Sequence, residues 1–384
     1  MRTYAPVRVR FVEGHGSRLV DAGGRVYLDF LSGIAVTSLG HCHPAVSRAV
    51  ALQAGRLWHV SNLFGNELNG PLAARLDTLV GGGAPAGGRV FFANSGAEAN
   101  ECALKLARRY AGRGRHHVVS AFGSFHGRTL ATLHATGQPD KHEPFQPLPE
   151  GFRHVAYGDL DALEAAADPT AVAAVLLEPI QGEAGVVVPP AGYLAAVREL
   201  CDERGILLML DEVQTGLGRT GTWFAFEQAG LRPDVVTVAK ALGNGMPIGA
   251  CWARAEVADA FGPGDHGSTF GGQPLACAAA LATLEELERI DAPARARERG
   301  EQLREGLEGI AALSEVRGRG LLLGAVLAAD GAHARHAKAV AEAALDAGLV
   351  VNAPASDVIR LAPPLIVTEA EVDEAVAILG EVLG

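Results

Sequence analysis

The sequence has few lysines, no paired cysteine motif and no long apolar segment. Only four of its 33 basic residues are lysine, and its five cysteines are widely spaced without a C-x-x-C pair. This spacing argues against a disulfide framework and against a cysteine-based zinc site. No apolar run reaches the ~18 residues of a membrane-spanning helix, and the first residues form no apolar signal core. We therefore expect a soluble, cytoplasmic protein that contacts no membrane.

The charge balance limits the partners that the protein can have. The chain of 384 residues has a net charge of −11, which argues against a nucleic acid as the main ligand. Anionic substrates must then be bound by arginines close to them. Hydrophobic residues make up 48% and charged residues 20%, which is typical of a globular protein with two domains or one large lobed domain.

Short apolar runs alternate with helical segments through the middle of the chain. Each run is apolar throughout, as in strands that are buried on both faces of a sheet. The predicted strands are Arg89–Ala93, His117–Ala121, Ala173–Leu177, Ile206–Leu210 and Val235–Val238, and the helices between them include Ala97–Ala111 and Ala191–Arg204. This alternation predicts an α/β fold with a doubly wound, mostly parallel sheet, but it does not give the strand order.

The two ends of the chain have a different pattern. Residues 14–31 contain turns and short strands, and the chain after residue 276 contains helices and then further short strands. Thr368 and Glu371 have the spacing of a capping box that begins a last helix. We expect a smaller α+β domain from residues 1–48 and 276–384, and a large central domain from residues 49–275.

One lysine lies in an apolar stretch. Lys240 follows Val235–Ala239, whereas Lys105, Lys141 and Lys338 lie in helical or polar loop segments typical of surface lysines. Apolar surroundings lower the pKa of a lysine amine and leave more of it as a free nucleophile, which an arginine cannot become. Lys240 is therefore a candidate for a Schiff base with a carbonyl cofactor. A buried stem with a solvated amine is the alternative for this stretch taken alone.

A strand-to-helix turn provides a candidate anion site. Ser95, Gly96 and Ala97 follow a predicted strand, and Ser95 and Glu98 have capping-box spacing. Small residues at the start of a helix leave backbone N–H groups open to a phosphate, which the helix dipole also favours. A capped helix without a ligand is the alternative.

Acidic residues follow two other predicted strands. Asp211 stands at the end of an apolar strand with Gln214 close behind, and Glu178 and Glu183 follow a second strand. Ligands of open α/β sheets bind at this edge, where a carboxylate can pair with a protonated ring nitrogen. The alternative for Asp211 is an acid that caps the next turn.

Two loops carry side chains that suit a ring, a phosphate or a carboxylate. Phe125, His126 and Arg128 share one glycine-containing loop, where the aromatic ring could stack on a ligand and the arginine could bind a carboxylate. Ser268 and Thr269 provide a pair of hydroxyls among glycines, which suits a phosphate contact.

Arg360 completes this set of candidates. It lies in an apolar strand, where a buried arginine needs an anionic partner from the protein or from a ligand. Together the segments offer a lysine nucleophile, an acid for a ring nitrogen, a phosphate site, a stacking ring and arginines. Pyridoxal 5'-phosphate needs the first four, and an amino-acid substrate needs the last. The sequence thus predicts an enzyme that uses this cofactor.

These motifs also establish a family resemblance over nearly the whole chain. The sequence resembles the class-III aminotransferases of pyridoxal phosphate fold type I, in the subgroup that acts on acetylornithine and ornithine. The segments that carry the resemblance are Gly40–Pro44, Leu177–Gly185, Leu210–Gly221, Ala239–Gly245 and Arg360–Pro364. The resemblance implies a homodimer with shared active sites, and small-molecule substrates that comprise an amino donor and 2-oxoglutarate.

The resemblance implies one set of residues at the cofactor and another at the substrates. The cofactor residues are Ser95, Gly96, Ala97, Phe125, His126, Asp211, Gln214, Lys240 and Thr269, the last from the neighbouring subunit. Lys240 would bind the aldehyde as a Schiff base and transfer protons, and Asp211 would keep the ring nitrogen protonated. The substrate residues are Arg128, Glu183, Ser268 and Arg360. Arg128 would bind the donor carboxylate, and Arg360 would bind 2-oxoglutarate and pair with Glu183 when the donor is present.

The amino donor is the least determined part of this prediction. Ornithine enzymes of the family have a tyrosine near the position of Ile34, and the run Ile34–Val36 is more similar to the acetylornithine type. We therefore expect N2-acetylornithine. Alternatives are ornithine, 4-aminobutyrate and the lysine-pathway intermediates succinyl-diaminopimelate or a carrier-bound aminoadipate analogue.

Other classes of protein are compatible with part of the pattern. A decarboxylase or racemase on this fold would keep Lys240 and Asp211 and would not need 2-oxoglutarate. A cofactor-sensing regulator would need a DNA-binding segment, which the sequence does not indicate. The histidine pairs 41/43 and 116/117 are too closely spaced for a pair of ligands on a helix and lack a nearby cysteine cluster, so no metal site is predicted.

Overall fold

The computed structural model describes residues 1–329 and 336–384. The strands are β1 (Phe11–His15), β2 (Arg18–Asp21), β3 (Val26–Asp29), β4 (Arg89–Ala93), β5 (His117–Ala121), β6 (Phe152–Val155), β7 (Val172–Leu177), β8 (Leu207–Asp211), β9 (Val235–Val238), β10 (Gly249–Ala253), β11 (Leu313–Arg319), β12 (Leu322–Leu327), β13 (Leu349–Val350), β14 (Asn352–Ala355) and β15 (Val358–Leu361). The α-helices are α1 (Ser32–Ala35), α2 (Pro44–Ala54), α3 (Asn69–Val80), α4 (Gly96–Ala111), α5 (Leu130–Ala135), α6 (Pro139–His142), α7 (Leu160–Ala166), α8 (Tyr193–Arg204), α9 (Ala255–Ala258), α10 (Pro274–Arg289), α11 (Ala292–Glu308), α12 (Ala337–Ala347) and α13 (Glu369–Leu383). The 3-10 turns are Glu143–Phe145, Ala225–Ala229 and Lys240–Leu242.

The central sheet has seven strands in the order β4-β10-β9-β8-β7-β5-β6. Neighbouring strands from β9 to β6 pair in parallel, and β10 is antiparallel to both β9 and β4. Every residue of β7, β8 and β9 is buried, which explains their continuous apolar sequence. The predicted α/β fold with a mostly parallel sheet is confirmed.

The predicted strands agree closely with the observed ones, with one error in their burial. β4, β5 and β9 have the predicted bounds, and β7 begins one residue earlier than predicted. β8 begins and ends one residue later than predicted. β4 is an edge strand that is exposed at Arg89 and only half-buried at the next three residues, so the expectation that it is buried on both faces is wrong. An edge strand has a neighbour on one side only, which leaves part of its surface to solvent.

Two helix starts depend on the residue that precedes them. Ser95 has an extended backbone and accepts a hydrogen bond from Glu98 N, so α4 begins at Gly96. Gly192 has a left-handed backbone with φ of 81°, and α8 begins only after it, at Tyr193 rather than at the predicted Ala191. A glycine adopts this conformation without the steric cost that other residues have.

The two chain ends form the smaller α+β part. β13 pairs in parallel with β3, so one four-stranded sheet, β1-β2-β3-β13, contains strands from both ends. A third sheet has the order β11-β12-β15-β14, and Thr368 and Glu371 form the predicted capping box at the start of α13. This confirms a smaller part built from both ends. The domain limits at residues 48 and 275 stay predictions, and α2 and α10 run through them. None of the described helices has the length and apolar character needed to cross a membrane.

Candidate active site

A cavity of about 330 Å³ lies at the edge of the central sheet where β5, β7, β8 and β9 end and α4 begins. The predicted site residues that line it are Ser95, Gly96, Ala97, Phe125, His126, Arg128, Glu183, Asp211, Gln214 and Lys240. They come from five separate segments, each at or just after the end of a strand. Parallel strands end at one edge of a sheet, which brings these segments together although the residues are far apart in sequence.

Asp211 is buried, and three hydrogen bonds fix its carboxylate. Its Oδ2 accepts from Asn100 Nδ2 at 2.7 Å and lies 2.9 Å from His126 Nδ1, and its Oδ1 accepts from Val213 N at 3.0 Å. An ionised carboxylate can only accept, so Nδ1 of His126 has the proton. The opposite ring atom, His126 Nε2, is buried and has no partner among the described residues. The cavity thus contains the fixed carboxylate of Asp211 and, beside it, His126 Nε2, which has no hydrogen-bond partner among the described residues.

Lys240 projects from a tight turn directly after β9. Its φ of 42° is in the left-handed region, which costs a residue with a side chain roughly 1–2 kcal/mol. Burial lowers the pKa of the Lys240 amine, although the negative charge of Glu183 opposes this effect. No ion pair joins Lys240 to a carboxylate in the part of the chain that the structure describes. A larger neutral fraction makes this amine a better nucleophile and base at neutral pH.

The start of α4 fits an anion. Gly96 and Ala97 are the first two residues of the helix, so their N–H groups have no partner within it. A Cβ at Gly96 would lie 2.9 Å from Val213 Cγ1, so only glycine fits there without a shift. The predicted capping box is only half formed. Ser95 Oγ accepts from Glu98 N at 3.2 Å, but Glu98 Oε2 accepts from Asn94 N at 2.7 Å and not from Ser95 N.

Arg360 and Glu183 form an ion pair at the far side of the cavity. Arg360 Nη1 donates to Glu183 Oε1 at 2.6 Å and to Gln214 Oε1 at 3.1 Å, and Arg360 Nε donates to Asn352 Oδ1 at 3.1 Å. Arg360 itself does not line the cavity, and its Nη2 is buried without a partner among the described residues. Burial raises the pKa of Glu183, but the charge and hydrogen bond of Arg360 outweigh it and lower the pKa below its usual value.

Glu178 holds the loop that contains Phe125. Its Oε1 accepts from Phe125 N at 2.9 Å and its Oε2 accepts from Gly182 N at 3.1 Å. Burial raises the pKa of Glu178 to about 7. Arg128, from the same loop, is exposed, and its Cζ lies 5.5 Å from the centre of the Phe125 ring. The loop thus presents a ring face and a cation to the cavity.

Besides Arg360, three candidate positions named in the sequence analysis lie outside this cavity: Ser268, Thr269 and Ile34. Ser268 and Thr269 line a separate cavity of about 370 Å³. Asn94 lines both cavities and donates from Nδ2 to Ser268 Oγ at 3.2 Å. Thr269 is exposed in its own chain. In the run at residues 34–36, Val36 lines the first cavity and Ile34 does not.

Two residues near the cavity escaped the sequence analysis. Asn100 binds the carboxylate of Asp211, accepts from Thr237 Oγ1 at 2.7 Å and donates to His126 O at 2.8 Å. A polar residue on the apolar face of α4 was the signal that could have identified it. Lys141, interpreted as an ordinary loop lysine, has its Nζ 5.5 Å from the centre of the Phe125 ring.

The histidine pairs have structural contacts. His41 Nε2 lies 2.7 Å from Asp29 Oδ2, and the other oxygen of Asp29 accepts from the N–H groups of Leu31 and Ser32. The His41 side chain therefore contacts the turn that follows β3. Within residues 1–329 and 336–384, no group of three or more histidine, cysteine or acidic side chains is arranged to hold a metal ion.

Comparison with known proteins identifies relatives along the whole chain. Residues 2–383 match the family described as aminotransferase class-III. An acetylornithine aminotransferase of Mycobacterium bovis is 53% identical, and the match covers 100% of this chain and 94% of that protein. The crystal structure of N-acetylornithine aminotransferase from Stenotrophomonas maltophilia K279a has a TM-score of 0.84 at 40% identity, covering 99% of this chain and 96% of that one. The ornithine aminotransferase of Toxoplasma gondii ME49 has a TM-score of 0.93 at 38% identity, covering 100% and 92%.

Proposed function

The chain belongs to the class-III aminotransferases, and on that premise we propose that it transfers the terminal amine of N2-acetylornithine to 2-oxoglutarate. The family, the enzyme class and the fold expected from the sequence are confirmed. The proposed products are N-acetylglutamate 5-semialdehyde and glutamate, which places the reaction in arginine biosynthesis. The observation that carries the proposal is one cavity lined by Lys240 and Glu183, with Arg360 paired to Glu183 behind it.

Pyridoxal 5'-phosphate fits the polar groups of the cavity. Asp211 supplies a buried carboxylate for the ring nitrogen, and the start of α4 supplies N–H groups for the phosphate. Gly96 leaves the space that a Cβ would fill, and His126 Nε2 is a buried atom that lacks a partner among the described residues. When bound, the cofactor would supply an aldehyde that reacts with amines and a ring that withdraws electrons from the neighbouring carbon.

The chain's own residues then hold and move protons. The Lys240 amine, with its lowered pKa, takes a proton from the donor carbon that bears the amine. It then returns this proton to the carbon of the aldehyde group, so it acts first as base and then as acid. Asn100 and His126 hold Oδ2 of Asp211 in place, so its carboxylate would face the ring nitrogen. Phe125 provides an apolar face that keeps water from one side of the ring position.

The pairing of Arg360 with Glu183 explains how one cavity can accept two substrates. While the donor is bound, Glu183 neutralises Arg360, so the arginine does not attract the donor's carboxylate to the wrong place. When 2-oxoglutarate binds, its carboxylate replaces Glu183, and the unpartnered Arg360 Nη2 allows a two-point contact. Arg128 binds the carboxylate at the other end of each substrate.

A second candidate donor is ornithine, because an ornithine aminotransferase has nearly the same fold. We favour acetylornithine because Val36, an apolar residue of the run at residues 34–36, lines the cavity. An apolar side chain offers no hydrogen-bond acceptor for the free α-amine of ornithine. Lysine-pathway intermediates and 4-aminobutyrate are the remaining alternatives.

We also propose a homodimer in the cytoplasm. Leu63 and Phe270 expose large apolar side chains, and Asn62 Nδ2 donates to Ser268 O at 2.9 Å, so an exposed apolar surface lies beside Thr269. A second copy that covers this surface would bring Thr269 to the phosphate site of its partner. The five cysteines are free thiols, which agrees with a reducing compartment.

The visible absorption of the purified protein with added cofactor tests the proposal. We expect acetylornithine to bleach the band of the bound cofactor and 2-oxoglutarate to restore it. Rates of bleaching by acetylornithine, ornithine, succinyl-diaminopimelate and 4-aminobutyrate would rank the donors. Faster bleaching by free ornithine would refute the acetylornithine assignment, and a protein that never binds cofactor would refute the whole proposal.

A variant of Lys240 tests its role in catalysis, and a variant of Lys338 is the matched control. Lys240→Arg keeps a positive charge but cannot add to an aldehyde or take up a proton at neutral pH. We expect at least about a hundredfold slower turnover, since a positioned acid–base group contributes roughly 10²–10⁴-fold. Lys338→Arg, at an exposed position, should be as active as the natural chain.

A further inference from the structure

Two cations lie against the same aromatic ring at the edge of the candidate active site. Lys141, in the short helix α6, has its Nζ 5.5 Å from the centre of the Phe125 ring. Arg128 Cζ lies at the same distance from that ring. Phe125 and Arg128 line the cavity, and Lys141 is half-buried rather than extended into solvent.

Hydrogen bonds hold Lys141 in this position. Its Nζ donates to the side-chain oxygen of Gln138. The amide nitrogen of Gln138 donates to Ser124 O at 2.9 Å, next to Phe125. Gln138 therefore ties the ammonium group to the same loop that carries the ring and the arginine. A lysine side chain loses entropy when it is held in this way, so the arrangement needs a compensating interaction.

Neither cation has an acidic partner close by. Within the described ranges, no carboxylate lies within 4.0 Å of Lys141 or Arg128, although the chain has 44 acidic residues and a net charge of −11. Burial and the nearby charge of Arg128 lower the pKa of Lys141, while Glu183 opposes them. Two unneutralised cations beside a ligand cavity repel each other, and an anion between them would remove that repulsion.

We propose that Lys141 binds the α-carboxylate of the amino donor together with Arg128. This inference rests on the proposed function, and it assigns a substrate-binding role to a residue outside the family motifs quoted above. The planar fork of Arg128 can bind both oxygens of a carboxylate, and the compact ammonium of Lys141 can bind either oxygen from another side. The Phe125 ring would exclude water from between them and strengthen both contacts.

Two anions are expected in the cavity, the phosphate of the proposed cofactor and the carboxylate of the substrate, and they would bind at different places. The phosphate of the proposed cofactor fits the start of α4, where Gly96 and Ala97 offer N–H groups. Lys141 instead lies beside the Phe125–Arg128 loop and feels the charge of Glu183, a residue of the proposed substrate site. The carboxylate of the substrate, bound at Arg128, is therefore the anion that we assign to Lys141, which lies beside the cavity and does not line it.

The test compares two donors that differ only in the carboxylate. N-Acetylputrescine has the amine and acetyl group of N2-acetylornithine and lacks its α-carboxylate. In the enzyme with bound cofactor, we expect Lys141→Gln to lower kcat/KM for N2-acetylornithine by about tenfold or more, the effect of losing one charge-assisted hydrogen bond. The kcat/KM for N-acetylputrescine should not change. Lys141→Arg should restore most of the loss, and Lys338→Gln should have no effect on either donor.

Equal losses with both donors would overturn the proposal, because they would indicate that Lys141 only supports the Phe125 loop. Binding of glutarate, measured by calorimetry on the same variants, provides a readout that does not depend on turnover. Lys141→Gln should weaken glutarate binding, and an unchanged dissociation constant would also overturn the proposal. If the natural chain fails to turn over N2-acetylornithine, the proposed function is wrong, and the glutarate experiment still decides whether Lys141 binds carboxylates.

Discussion

Arg360 and Glu183 form an ion pair of 2.6 Å that joins β15 to the loop after β7. Arg360 is fully buried, whereas the Glu183 side chain keeps 25% of its accessible surface and lines the cavity. Glu183 is therefore the partner that a ligand carboxylate can displace. Breaking a buried pair leaves an arginine without an anion, which is costly unless a ligand takes the place of the glutamate.

Glu183→Gln should change the preference between donors. The variant removes the negative charge that neutralises Arg360 and keeps an oxygen that can accept its hydrogen bond. We expect the ratio of kcat/KM for glutamate to that for acetylornithine to rise about tenfold, because free Arg360 favours a substrate with a carboxylate at that position. The two half-reactions can be followed separately by the cofactor absorbance. Glu381→Gln, at an exposed position, is the control, and an unchanged ratio would contradict the switch.

Asp211→Asn should reduce turnover without preventing folding. Asparagine has the same shape, but it is neutral and one of its two side-chain groups is a donor. With its oxygen facing Asn100 and His126, its NH2 group would face the N–H of Val213, so it cannot accept all three hydrogen bonds that Asp211 accepts. Loss of a fixed charge at the reacting group typically costs roughly 10²–10³-fold in kcat. Steady-state kinetics would measure this, with the exposed Asp202→Asn as control. A loss of less than tenfold would mean that Asp211 has no electrostatic role in the reaction.

Glu212 should make the stability of the chain depend on pH. Burial raises the pKa of Glu212 from 4.5 to about 7, and it accepts from Phe226 N at 3.0 Å. Between these two pH values the folded chain binds more protons than the unfolded chain, so the free energy of unfolding falls as pH rises, by up to about 3 kcal/mol. We expect the thermal unfolding midpoint of Glu212→Gln to depend less on pH between pH 5 and 7 than the midpoints of the natural chain and of Glu381→Gln.

This loss of pH dependence should be partial, because burial also raises the pKa of Glu178 to about 7. Glu178 would still lose its proton in the same range and would still destabilise the folded chain as pH rises. If the midpoint of Glu212→Gln has the same pH dependence as that of the natural chain, Glu212 is already ionised in the folded state at pH 5.

Strong apolar patterns made most of the central sheet predictable. The fully buried strands β7, β8 and β9 have continuous apolar sequences, so their positions in the chain follow from these local runs to within one residue. β6 and β10 were not predicted. β6 has Arg153 and His154 at its centre, and β10 begins with Gly249 and Ala250, so neither sequence has the run of branched apolar residues typical of buried strands. Their pairing depends on neighbours that are distant in the chain.

The candidate site was predictable where motifs follow strands, and less so where contacts are long-range. Asp211 is the last residue of β8, and Lys240 follows β9. The edge of a parallel sheet brings such residues together. The position of Lys141 beside Phe125 depends on the path of the loop after β5 and on Gln138. No local periodicity gives that path. The part of the site expected from a second subunit, Thr269, stays a prediction.

Gly249 packs directly against Ser95 at the start of α4, and its replacement tests the packing of the proposed phosphate site. A Cβ at Gly249 in β10 would lie 2.3 Å from Ser95 O, so Gly249→Ala must push Ser95 and the start of α4 away from the sheet. We expect a loss of roughly 1–3 kcal/mol in the free energy of unfolding, measured by urea denaturation, and weaker binding of pyridoxal 5'-phosphate. Gly380→Ala in α13 is the matched control, because its Cβ would meet nothing within 4 Å and should stabilise the helix by roughly 0.5–1 kcal/mol. If Gly249→Ala unfolds and binds cofactor like the natural chain, the contact with Ser95 does not position the helix.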